Sequence, residues 1–284
     1  MATLVVGFDS AWTPTNSGAL VGAVWEANGR WKGLGPPIQA DFLTAERQIL
    51  DWHEAESPST TFVLLDQPTI VRNDAGQRPV ENIVASPVGL RYGGVQPANT
   101  GRAEMFGSAA PVWRFLDRFG GPAAPLDLLE PLNSSTRVLE TYPVLALIAL
   151  GWVLPDKRLT GRLPKYNPER RKTFRISDWR HVCTSAAGFI GEIGLTDLSA
   201  WLLRLRDLEK PHKRDQDALD ACLCLIVGLH LTPPRECLMV GDLRTGYIVA
   251  PASDALEREL ASRCTATQRA PEEWLRRFGL ETEA

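Results

Sequence analysis

Leu4, Val5 and Val6 form a continuous apolar run of β-type residues, the pattern of a strand covered on both faces. Gly7 leaves room for another element to approach its backbone, and Asp9 stands where the run ends. Residues 19–25 predict a second strand and residues 30–34 a third. Asn28-Gly29 between them is a strong hairpin signal, so the three predict an antiparallel meander. Thr44 is placed to cap a helix reaching Glu56, with Ile49 and Trp52 turned inward. Residues 61–65 repeat the first strand: an apolar run, then Asp66, then Pro68, which cannot continue a ladder. Residues 136–139 do so again, ending in Glu140 with Pro143 close behind.

Residues 69–110 break the pattern with Asn73, Gly76, Pro79, Gly93-Gly94, Pro97 and Gly101. So long a stretch without clear periodicity inside a domain is usually functional or mobile, and it reads as an insertion over the C-terminal edge of the sheet. Ile83, Val84, Val88, Leu90 and Tyr92 within it require burial. Helices are expected over 112–119, ended by Gly120-Gly121, and over 144–150, stopped by Gly151. Two more are expected over 168–187 and 198–208. Residues 214–229 form a strongly apolar helix, with Asp217 and Asp220 on one face of its first turns. A closing hairpin is expected over 237–241 and 246–250, then helices over 254–262 and 272–278. The chain thus divides into an α/β domain over 1–250 and a C-terminal helical extension over 251–284. The domain carries a helical, basic segment at about 157–208.

At 284 residues and 44% apolar composition, the chain can bury a full core without disulfides. Cys183, Cys222, Cys224, Cys237 and Cys264 are odd in number and contain no C-x-x-C pair, which excludes a zinc knuckle and points to free thiols in a reducing cytoplasm. A net charge of −3 excludes a global field drawing the protein onto nucleic acid, so any such binding needs a local patch. The one local basic run holds Lys157, Arg158, Arg162, Lys165, Arg170, Arg171 and Lys172, with Tyr166 nearby. Its alternative is a solvated helix face. No apolar run approaches the roughly 20 residues of a membrane helix. His53, His181, His212 and His230 show no ligand spacing.

Asp9, Asp66 and Glu140 end buried strands, while Asp217 and Asp220 start a buried helix. Any one of them reads as a cap or turn former; their recurrence at strand ends points to one crevice. Carboxylates gathered there repel and raise one another's pKa unless a cation neutralises them. Hard oxygen donors select Mg²⁺ or Mn²⁺, with Asp9, Asp66, Asp217 and Asp220 as candidate ligands. Two ions about 4 Å apart would hold the attacking and leaving oxygens of a phosphodiester.

This order resembles the RNase H-like superfamily, and Asp217-Ala218-Leu219-Asp220-Ala221 looks like the acidic helix of RuvC-type resolvases. Over most of residues 1–250 the chain is similar to an uncharacterised bacterial family of unknown function described as predicted RNase H-like nucleases. The motifs are Gly7-Phe8-Asp9-Ser10-Ala11-Trp12, Asp66-Gln67-Pro68, Gly76-Gln77-Arg78-Pro79, Glu140-Thr141-Tyr142-Pro143, Lys165-Tyr166 and Asp217-Ala218-Leu219-Asp220-Ala221. The resemblance implies an RNase H-like mixed sheet, a three-strand antiparallel meander plus parallel strands, flanked by helices. It also implies a metal-dependent nuclease or phosphodiesterase with Asp9, Asp66, Glu140, Asp217 and Asp220 as catalytic carboxylates. Arg78, Lys165, Tyr166, Arg170, Lys172 and Lys213 are the candidates for holding a nucleic acid or nucleotide. The competing class is a non-catalytic binding protein of the same fold for a nucleotide or other phosphorylated ligand. An ATPase of the actin type would need duplicated halves with Gly-rich phosphate loops, and neither is present.

Overall fold

A computed structural model describes residues 2–85, 95–128, 136–155 and 161–280. Val88, Leu90, Tyr92, Lys157 and Arg158, on which expectations were placed, lie outside the described residues.

The main sheet is built on β1 (Thr3–Asp9), β2 (Gly18–Trp25), β3 (Trp31–Gly33), β4 (Ile38–Ala40), β5 (Thr60–Leu65) and β6 (Thr136–Glu140). Its order is β3-β2-β1-β5-β6, with β4 also paired to β2. β1 runs antiparallel to β2 and parallel to β5, and β6 continues the parallel half. The expected meander is present. Gly29 takes φ +75° in its turn, and the Glu26 amide donates to the Arg30 carbonyl at 2.9 Å. β4 was not expected: only three residues long, it pairs Gln39 with Ala19 and has no periodicity of its own to show.

Both sheet faces are covered, as the unbroken apolar strands require. On one side Phe8 meets Phe42 at 5.5 Å and Phe115 at 5.6 Å between ring centroids. These rings come from helices Phe42–Glu56 and Pro111–Arg118. The first of these starts earlier than expected. Asp41 is its cap, accepting the Thr44 amide at 2.8 Å, so Thr44 is a donor inside the first turn.

Helix Lys213–Leu229 crosses the other face. From Gln216 to Leu229 every residue is buried, so its whole circumference is packed. Gly7 sets the distance: a Cβ there would fall 2.1 Å from the Ala221 carbonyl oxygen. The element that approaches Gly7 is therefore this helix, and the close contact fixes where Asp217 and Asp220 stand relative to Asp9. Behind it lie helices Ile176–Glu192 and Thr196–Arg206.

Two expectations are corrected. Residues 168–175, expected as the start of a helix, are held by turns. Asn167 Oδ1 accepts the Glu169 amide at 2.9 Å and the Arg175 amide returns to the Lys165 carbonyl at 2.8 Å. An Asx side chain that binds local amides competes with helix formation. Residues 275–278, expected as the end of a helix, form β9 (Leu275–Phe278). β7 (Cys237–Asp242) and β8 (Gly246–Pro251) make the expected hairpin, and β9 pairs with the open edge of β7. Only tertiary pairing accounts for a strand there. A parallel bridge from Thr141 to Val249 joins this small sheet to the end of β6. Among the described residues no helix is long and apolar enough to cross a membrane.

Candidate active site

Asp9 is the last residue of β1 and 6% exposed. The chain leaving β5 stays clamped beside it, because the Asp66 amide donates to the Phe8 carbonyl at 2.9 Å. Asp66 is half-buried at this edge, and its charge raises the pKa of Asp9. Asp217 and Asp220 are brought over this edge by the first turns of helix Lys213–Leu229, at 3% and 6% exposure. The four carboxylates lie within electrostatic reach of one another.

Burial and then the neighbouring Asp220, Asp66 and Asp217 hold Asp9 well above the usual carboxylate range. Asp66 is raised in the same way, by burial, Asp220 and Glu140. Asp220 is pushed up to about 6, chiefly by burial. Hydrogen bonds from Tyr166 at 2.8 Å and from Gln216 Nε2 at 2.9 Å oppose that rise. The cation inside this group is Lys213. Its ammonium pairs with Asp217, and burial is outweighed by Asp9, Asp217 and Asp220, which keep it charged.

Glu140 is adjacent but differently employed. Its oxygens take a bidentate pair from Arg78, at 2.6 and 2.9 Å, and Oε2 also accepts the Thr69 amide at 2.9 Å. Arg78, expected to face substrate, is 1% exposed and spent internally. Besides Glu140 it binds Glu81 at 2.8 Å and the Ile70 carbonyl at 3.0 Å. It is corrected to a strut: Glu81 also accepts the Ala98 amide, so the network ties Thr69, Ile70 and Ala98 of the 69–110 insertion to Glu140. Phe106 of that insertion meets Trp12 at 5.9 Å. Trp12 holds φ +59°, a costly conformation for a bulky side chain, three residues after Asp9.

Of the basic candidates, Tyr166 is buried on Asp220 as described. Exposed Arg170 acts on Tyr142, a half-buried phenol raised by desolvation and by Asp66 and Asp220. Lys165 is half-buried and lowered, first by burial and then by Arg162, Arg170 and Arg175. Lys172 is exposed, with no contact to the carboxylates among the described residues. Sequence reasoning missed Gln216 and Tyr142. Gln216 was discoverable, since it precedes Asp220 by four residues and shares its helix face; Tyr142 follows Glu140 by two at a strand end and carried no comparable signal. A separate cleft of about 480 Å³, lined in part by Trp31, Gly194, Trp201 and Arg204, holds none of Asp9, Asp66, Glu140, Asp217 and Asp220.

Among the described residues, no three His, Cys, Asp or Glu side chains are gathered at the spacing that holds a metal ion. The donor chemistry nonetheless fits a divalent cation: hard carboxylate oxygens, with Asp220 raising the pKa of both Asp9 and Asp66. The present arrangement is one of carboxyls that repel one another, offset by Lys213.

One consequence is a pH dependence. Asp220 binds its proton more tightly folded, near 6, than unfolded, near the model-peptide value of about 3.9, so its contribution to stability falls as pH rises from about 4 to 6. The Tm of Asp220→Asn minus that of the metal-free protein should therefore grow across that window and level off above it. His230, lowered to about 4 by burial, titrates with the opposite sign but cancels in the difference. A flat difference would contradict the raised Asp220.

Residues 7–241 match the family described as "Protein of unknown function (DUF429)", and the chain belongs to that family. No curated protein and no solved structure matches it.

Proposed function

We propose that this member of the DUF429 family is a divalent-metal-dependent phosphodiesterase of RNase H-like fold, acting on nucleic acid or a nucleotide. One observation carries the reading: buried Asp9 and half-buried Asp66, at the C-terminal ends of β1 and β5, face buried Asp220 from helix Lys213–Leu229, whose charge raises the pKa of both. Mutual repulsion of that kind is costly to folding and is common where a site is built for a cation. The strand order β3-β2-β1-β5-β6, antiparallel then parallel, supports the fold assignment.

Asp9, Asp66, Asp217 and Asp220 would hold Mg²⁺ or Mn²⁺, which when bound supplies an activated water and stabilises charge on the phosphoryl oxygens. The protein's own groups do the rest. Tyr166 and Gln216 orient Asp220 by hydrogen bonds at 2.8 and 2.9 Å. Arg170, exposed beside Tyr142, and Lys165 offer positive charge to a phosphate at the rim. Lys213 turns from Asp217 toward the substrate's negative charge. Glu140, engaged by Arg78, acts on Asp66 through its charge and position.

A second reading, a non-catalytic binder of a phosphorylated ligand, is favoured by the carboxylate spacing described above. The two separate in an assay with Mn²⁺ and single-stranded, duplex, hybrid and branched DNA and RNA, together with a generic nucleotide diester. Metal-dependent cleavage is expected on at least one. Arg170→Ala should weaken its binding and reduce the salt slope by about one phosphate contact. Binding without cleavage across that set supports the second reading.

A further inference from the structure

We infer that Gln216 is a ligand of the cation in this site, through its amide oxygen. The inference rests on the metal-dependent reading above and names one of its ligands. Gln216 is 8% exposed, and its Nε2 donates to Asp220 Oδ2 at 2.9 Å. That bond fixes the amide plane beside Asp220. The other end, Oε1, is buried and accepts no hydrogen bond from the described residues. A buried acceptor left empty is costly, by about 1–3 kcal/mol on general grounds, and rarely persists without a use. Turning the amide over would set Oε1 against the Asp220 carboxylate, acceptor against acceptor, so its present direction is held.

The location selects the partner. The same amide is bonded to Asp220, whose own pKa is raised by Asp217, and Lys213 is taken up by Asp217. An acceptor there suits a cation. A neutral oxygen is also the useful kind of ligand in this crevice. Asp9, Asp66, Asp217 and Asp220 already repel one another, and a fifth carboxylate would raise that repulsion. An amide oxygen adds a hard donor without adding charge, and side-chain amide carbonyls are ordinary ligands of hard divalent ions. Because Gln216 and Asp220 are four residues apart on one face, both would reach a single ion from the same helix.

The test is Mn²⁺ and Cd²⁺ affinity by calorimetry on the full chain, with folding checked by circular dichroism. Three proteins are compared: the unaltered chain, Gln216→Leu and Gln216→Met. Leucine removes both amide functions and should weaken both metals by roughly tenfold, the scale of losing a supporting group. Methionine also lacks the donor to Asp220 but presents a soft sulfur, so it should weaken Mn²⁺ similarly while sparing Cd²⁺. A Cd²⁺/Mn²⁺ preference shifted by roughly tenfold in Gln216→Met alone is the expected signature of contact with the ion. Equal losses of both metals in both variants would reduce Gln216 to a positioning residue for Asp220 and overturn the inference. Unchanged affinities would overturn it as well. Should leucine fail to fold, Gln216→Asn, which withdraws the amide by one methylene, should lose Mn²⁺ affinity in its place. An unaltered chain that binds neither ion defeats the metal reading itself, whereas binding with unaffected variants defeats only the role of Gln216.

Discussion

Arg78→Ala is expected to cost about 3–5 kcal/mol of stability, the scale of breaking a buried ion pair from one side. The guanidinium is 1% exposed and faces two buried carboxylates, Glu81 at 2.8 Å and Glu140 at 2.6 Å. Removing it leaves both acids in a space that water does not reach. Burial already holds Glu140 above its usual range even with Arg78 present, so without it Glu140 must take up a proton to stay folded. The loss is large against the roughly 5–15 kcal/mol by which a domain is stable. Urea unfolding at pH 7 reads it directly. A compensated triple variant, Arg78→Met with Glu81→Gln and Glu140→Gln, should recover most of the loss, since the penalty comes from orphaned charge. Arg78→Ala within about 1 kcal/mol of the unaltered protein would mean that the network is solvated and does not brace the insertion.

Asp9→Asn is expected to stabilise the metal-free protein while abolishing its chemistry. Asp9 carries the repulsion of Asp220, Asp66 and Asp217 on top of its burial. An amide of the same shape removes that charge. A gain of about 1 kcal/mol, or about 2 °C in Tm for a chain of this size, follows. Phosphodiester cleavage should fall at least about a hundredfold, the scale of losing one group that stabilises transition-state charge. Both readouts matter together. Unfolding of Asp9→Asn would make Asp9 a structural cap, and a stable variant with undiminished cleavage would remove it from the site.

The strands and their acidic ends were legible because buried parallel strands need unbroken apolar runs, and a run that stops in Asp marks where the chain leaves the sheet. Asp9 and Asp66 were readable on that ground, as were Asp217 and Asp220 from their shared helix face. Glu140 had the same signature, yet its oxygens belong to Arg78, 62 residues earlier in the chain. No local pattern announces that pairing. Arg78 itself sits among Gly and Pro, where a charged residue reads as exposed, and only the fold shows it enclosed. β9 was missed for a related reason: Leu275–Phe278 becomes a strand by pairing with β7, not by its own alternation. The basic run was ambiguous in sequence, because a rim and a solvated face have the same composition. Tyr166 on Asp220 is what ties it to the crevice.

The most direct test of the central claim is anomalous diffraction from crystals soaked in Mn²⁺. The account predicts an anomalous peak in the crevice, with oxygens of Asp9 and of Asp66 or Asp220 about 2.1–2.2 Å away, and Lys213 withdrawn from Asp217. A crevice without a peak at saturating Mn²⁺, with Lys213 still on Asp217, would contradict it.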